Sequence, residues 1–154
     1  MVRIFTGIVA AAFLSACATT SLTPQERVLG PWSCAVDMGG LAGTARLTYR
    51  PDGTTSGPVS FKGETDGVDM DITGDVTSTW EFLADGRFRE TITGFIIKTA
   101  AFDGEVMSPA LIAVMIQPMI AETLEGQESV ADITFGDGTM TLSSDGAEPT
   151  RCSR

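Results

Sequence analysis

The sequence predicts a mainly β protein, an antiparallel barrel of about eight strands with one helix inserted late in the chain. Three observations carry that expectation. Asp-Gly pairs begin at residues 52, 66, 85, 103, 137 and 145, and Asp-Gly between strand-like segments is the strongest short hairpin signal. The segments between these breakers alternate apolar and polar side chains, the pattern of strands with one buried face. Only residues 108–125 leave that rhythm for a helical one.

In chain order, Arg3 supplies a minimal positive region, and the run Ile4 to Leu14 an apolar stretch of signal-peptide length. That run is too short to span a bilayer. It closes on Leu14, Ser15, Ala16 and Cys17, which resembles the lipobox of bacterial lipoproteins. The resemblance implies a signal peptide over 1–16, cleavage before Cys17, acyl chains on its thiol and a lipidated tether over 17–24. A single domain over 25–154 follows. Small residues at Ser15 and Ala16 let the chain enter a tight peptidase site, and the Cys17 thiol is the nucleophile for acyl transfer. Residue 18 is Ala rather than Asp, similar to the sorting pattern for lipoproteins of the outer membrane. The expected location is therefore the bacterial cell envelope, lipid-anchored at the outer membrane and facing the periplasm.

The domain is expected to open with a helical turn over Pro24 to Leu29, before Gly30. Strands are expected near 32–37, 43–50, 54–62, 67–73, 76–84, 87–97, 129–136, 138–144 and 148–153. Val76, Ser78, Trp80 and Phe82 share one face against Thr77, Thr79 and Glu81. Ala45, Leu47 and Tyr49 likewise alternate with Arg46 and Thr48. In the helical interruption Ser108 is placed to cap and Pro109 to occupy the first helical position. Ile112, Ile116, Ile120 and Leu124 recur at helical spacing, while Leu111, Val114, Met115 and Met119 make the segment apolar on nearly all sides. Pro118 is expected to kink or break it, and Gly126 to end it. Such a helix must be covered. It plugs one end of the barrel or crosses an open sheet face, closes as a lid over an apolar cavity, or docks on an envelope protein or the bilayer.

With Cys17 lipidated, Cys34 and Cys152 remain, in a compartment where disulfides persist. They are expected to pair. Closing so long a loop is worth about 4–5 kcal/mol in the chain-entropy model, and the bridge would tie the first strand to the last. A metal site is not expected, because the chain contains no histidine and two distant thiols lack zinc-ligand spacing; no cofactor is expected either. The net charge of −10 argues against nucleic acid as a partner and against electrostatic attachment to anionic lipid. Membrane attachment then falls to the acyl chains on Cys17, and a basic protein is the macromolecular partner that the charge would attract.

Gly30, Pro31 and Trp32 open the first strand, and Arg151 sits at the last one. This is similar to the Gly-x-Trp pattern of lipocalins, and with the lipobox it resembles small bacterial lipocalin-like lipoproteins. The resemblance implies that Trp32 closes one end of the barrel and that Arg151 packs over its ring, a cation–π contact. It also implies a carrier of small molecules.

Enzyme chemistry finds little support, since the lack of histidine removes the commonest general base. Asp69 and Asp71 share one strand face with Thr73 and read as solvated; the full calcium-loop spacing is missing. Glu90 falls in phase with Phe88 and Ile92. Either a local bulge turns it out to water, or it points inward and takes Arg46 or a polar ligand group as its partner. Two function classes remain. In one, the barrel binds a small apolar or amphipathic molecule among residues such as Leu47, Tyr49, Phe61, Trp80, Phe82, Phe88, Glu90 and Ile92. In the other, the same side chains fill the core, and the protein is an interaction or inhibitor lipoprotein, in broad plan like envelope lysozyme and protease inhibitors.

Overall fold

The computed structural model describes residues 21–38 and 40–154. The expected signal peptide, Cys17 and the first part of the tether lie outside the described residues. Thr23 caps the first helix, α1 (Pro24–Val28), through a reciprocal capping box with Glu26. Proline sits at its first position, where a missing N–H costs nothing. Strands β1 (Gly30–Met38), β2 (Leu41–Tyr49), β3 (Thr54–Thr65), β4 (Val68–Phe82) and β5 (Phe88–Phe102) follow as a meander. After the two-residue strand β6 (Glu105–Val106) comes the helical segment, then β7 (Glu128–Phe135), β8 (Thr139–Ser143) and β9 (Thr150–Ser153).

Every strand pair is antiparallel, and β9 returns to pair with β1, so β1–β5 and β7–β9 close into a ring. All six Asp-Gly pairs lie between consecutive strands. At Asp66-Gly67 and Asp103-Gly104 both residues take positive φ, 53° with 78° and 49° with 79°, the primed turn that matches strand twist. Cys34 and Cys152 face each other across the β1–β9 seam and form a disulfide between residues 118 apart. Since only Ser33 and Cys34 of β1 pair with β9, the bridge reinforces the narrowest joint in the ring.

Most strand ends fall within three residues of expectation, and two departures are larger. The segments 67–73 and 76–84 are one strand, because Gly74 serves close packing rather than a turn: a Cβ there would lie 2.5 Å from the Ile96 carbonyl oxygen. Strand β5 runs on to Phe102 because its pairing with β4 slips twice. Thr77 pairs with Gly94 but Ser78 with Ile92, and Thr73 pairs with Thr99 but Gly74 with Ile97. Thr93 and Lys98 are therefore the extra residues of two bulges. The bulges keep Phe88, Ile92, Phe95, Ile97 and Ala100 on the core side of a fifteen-residue strand.

The wall of the ring is uneven. Among the described residues, β1 has no strand partner beyond Cys34 on the side where β9 lies, and β5 has none between Thr91, the last residue paired with β7, and Ala101, the first paired with β6. The helical segment sits at this gap. It runs as α2 (Pro109–Leu111), one wide π turn (Ile112–Ile116) and α3 (Gln117–Leu124). Pro118 does not break the helix. The widened turn just before it, with the Gln117 N–H donating to the Ile112 carbonyl, relieves the clash a proline ring makes with the preceding turn. The expected stripe faces inward: Ile112 and Leu124 are buried, and Ile116 and Ile120 pack against the core. Gly126, at φ 81°, ends the segment. The opposite face stays bare, with Val114 76 % and Met115 60 % exposed.

Candidate functional site: a polar-floored cavity inside the ring

One end of the ring is sealed. Trp32 is buried and its indole N–H donates to the Val28 carbonyl at 2.7 Å, fastening α1 beneath the strands. A guanidinium does lie over the Trp32 ring, 4.3 Å from its centroid, but it belongs to Arg154, not Arg151. Strand alternation explains the correction. Cys152 points into the ring, so Arg151 on the adjacent position points out and is exposed. Arg154, just past the end of β9, can turn under the barrel, where it also donates to the Leu29 carbonyl at 3.0 Å.

At the same end of the ring lies an aromatic cluster, Tyr49 standing opposite Gly30. Tyr49, Trp80, Phe82 and Phe88 meet with ring centroids 5.5–6.3 Å apart, mostly edge to face, the arrangement that ring quadrupoles favour. These four were expected inside the ring, either around a ligand or filling the core; they pack on one another as a floor to the interior.

The wall borders an open-mouthed cavity of about 230 Å³. Leu47, Phe61 and Ile92 line it, as the alternation suggested, together with Val36, Val59 and Phe95. Leu124 and residues 127–129 line it where the ring wall is incomplete, which puts its mouth at the junction of helix and β7.

Glu90 is the expected polar ligand residue, and it too lines the cavity. The bulge in β5 falls at Thr93, after Glu90, so alternation from Phe88 is intact and the carboxyl points inward. Its partner is not Arg46, which is exposed on the outer face of β2. Instead the Tyr49 hydroxyl donates to Glu90 Oε2 at 3.1 Å. Burial raises the Glu90 carboxyl above the usual carboxylate range, with the Tyr49 and Ser78 hydroxyls pulling the other way. Burial first, and then the neighbouring carboxylate, push the Tyr49 phenol well above its ordinary value, so it stays a donor.

The register adds residues that sequence reasoning missed. Tyr49 pairs with Thr55, Thr55 with Ser78, and Glu90 lies one step along on β5 opposite Trp80. Thr55 and Ser78 are buried, and the Thr55 hydroxyl has no hydrogen-bond partner among the described residues. A polar belt thus crosses four strands between the aromatic floor and the apolar cavity. Ser78 had been visible on the inward face of its strand, but Thr55 acquires meaning only once β3 is in register with β2.

Asp69 and Asp71 are exposed, and Asp71 pairs with Lys62 at 3.4 Å. Among the described residues no three His, Cys, Asp or Glu side chains come together as a metal ion would require, and no helix is long and apolar enough to cross a membrane. No protein-family model and no curated protein matches the sequence.

Proposed function

We propose that the protein is a lipid-anchored component of the bacterial cell envelope, held at the outer membrane by acyl chains on Cys17, that binds a small apolar or amphipathic molecule within its barrel. The observation that carries the binding role is the cavity of about 230 Å³ between the polar belt and the helical segment. A dry apolar cavity of roughly 150 Å³ suffices to hold a benzene-sized molecule, so this one suits a compact ligand. Gly30-Pro31-Trp32, with Arg154 stacked over the indole, is similar to the closed end of lipocalins and supports the carrier reading. Anchorage rests on the lipobox-like Leu14-Ser15-Ala16-Cys17 sequence.

Native mass spectrometry with lipid extraction, on protein purified gently from its own envelope, tests the binding role. A co-purifying small molecule is expected. Protein that carries none and takes up none when offered apolar compounds would move the weight to a second reading, an envelope interaction or inhibitor protein. That reading has its own support in the bare row Val106, Leu111, Val114, Met115 and Met119, each at least 46 % exposed, and in an acidic surface suited to a basic target. Cys17→Ser should abolish acyl labelling and membrane retention while leaving the fold intact.

A further inference from the structure

We infer that the cavity selects a molecule bearing a hydrogen-bond donor at one end, best of all a protonated amine, with Glu90 as the acceptor at the polar belt. The inference rests on the binding role proposed above and narrows it to a ligand class.

Among the described residues, the ionisable side chains that line the cavity are Glu90 and Glu128, and no lysine or arginine does so. Glu128 sits at the mouth with Arg89 3.6 Å away, so its charge is partly compensated. Arg89 also pairs with Glu81 on the outer face of the sheet. Arg46 and Lys98 border a groove on the outer face of the ring, where Lys98 meets Asp75. Glu90 therefore faces no cation from any strand. Its neighbours inside are the Tyr49 and Ser78 hydroxyls.

Glu90 is half-buried against apolar walls, and an ionised group with reduced access to water gains from a partner charge or further donors. The Tyr49 hydroxyl donates to only one of its two oxygens. The free acceptor capacity lies at one end of a space otherwise walled by Val36, Leu47, Val59, Phe61 and Ile92. A ligand with a short apolar body and a cationic or donor head satisfies both halves at once. Charge-assisted hydrogen bonds are roughly twice as strong as neutral ones, and they gain further in a low-dielectric interior. A fatty-acid or phosphate head meets the opposite situation: it would set a second negative charge beside Glu90 with no cation to relieve it. The same walls that attract an apolar tail then reject an anionic end, and discrimination of this kind comes as much from repulsion as from attraction.

Isothermal titration of the full chain at neutral pH with n-hexylamine, n-hexanol and hexanoate tests this, since the three share a body and differ in the head. The expected order is hexylamine tightest, then hexanol, with hexanoate about tenfold or more below the amine. Glu90→Gln, which keeps the shape of the side chain, should weaken hexylamine by about tenfold or more and leave hexanol nearly unchanged. Carbon NMR of the Glu90 carboxyl, read on the unaltered protein, should report a shift on adding hexylamine but little on adding hexanoate. If hexanol binds and the amine gains nothing over hexanoate, or if Glu90→Gln preserves the amine preference, the selection of a donor head is overturned while the binding role stands. If none of the three binds, the binding role itself fails.

Discussion

The Tyr49 hydroxyl on β2 donates to the Glu90 carboxylate on β5 across the barrel interior, at 3.1 Å. The two residues are 41 positions apart in sequence, and the contact exists because β2 and β5 both turn these side chains inward. It joins a sealed aromatic end to a cavity, and most of what can be tested follows from that division.

Glu90 makes stability depend on pH in a direction opposite to most carboxylates. Its folded pKa is raised by burial, so the folded state holds the proton more tightly than the unfolded chain. The associated stabilisation is present below the ordinary carboxylate range and is lost as pH rises through the folded value. Glu90→Gln should therefore melt above the unaltered protein in neutral and mildly alkaline buffer, with the gap closing as pH falls toward 4. Paired calorimetric scans over that range check it; a gap that widens on acidification would contradict the assignment.

The Cys34–Cys152 bridge closes a ring whose β1–β9 joint pairs only two residues on each strand. Replacing both cysteines with serine should cost up to about 4 kcal/mol. Urea unfolding with and without reductant gives the comparison: the unaltered protein should lose stability on reduction, and the double variant should not respond.

Arg154 and Arg151 separate a contact from a surface charge. Arg154→Ala removes the guanidinium from over Trp32 and its hydrogen bond to Leu29, an expected loss of about 1–2 kcal/mol. Arg151→Ala, on an exposed position of β9, should change stability by less than about 0.5 kcal/mol.

Gln117 stands in for a missing strand. Its side-chain oxygen accepts from the Ile97 N–H at 2.8 Å and its amide donates to the Phe95 carbonyl, covering the stretch of β5 left unpaired where the wall is incomplete. Gln117→Ala should leave the rest of the barrel intact and raise hydrogen exchange at the Ile97 amide well above that of Thr91, which pairs within the sheet.

Local chemistry was legible in the sequence. The Asp-Gly pairs mark every turn they were expected to mark, the stripe Ile112, Ile116, Ile120 and Leu124 faces the core, and the two cysteines of the domain pair. These features depend on residues near one another in sequence or on the period of one element. What escaped depends on register and on the ends of strands. Gly74 reads as a breaker until the carbonyl beside it is seen. Arg154 takes the place expected of Arg151 because one step along a strand reverses the side-chain direction. The four aromatics were rightly placed inside, but whether inward rings line a space or fill it depends on how their edges meet. Glu90 was legible as a carboxylate in phase with Phe88, inward unless a bulge intervened, yet its partner Tyr49 and the buried Thr55 appear only when β2 to β5 are laid side by side.

The most direct test of the account is methyl NMR of the protein titrated with n-hexanol, an uncharged probe suited to the cavity. The account predicts saturable shifts at Val36, Leu47, Val59, Val76 and Ile92, which line the cavity, and little change at the exposed methyls of Val106 and Val114. Shifts confined to Val106, Val114 and their exposed neighbours, with the interior methyls unmoved, would contradict it and make the bare helical face the functional surface.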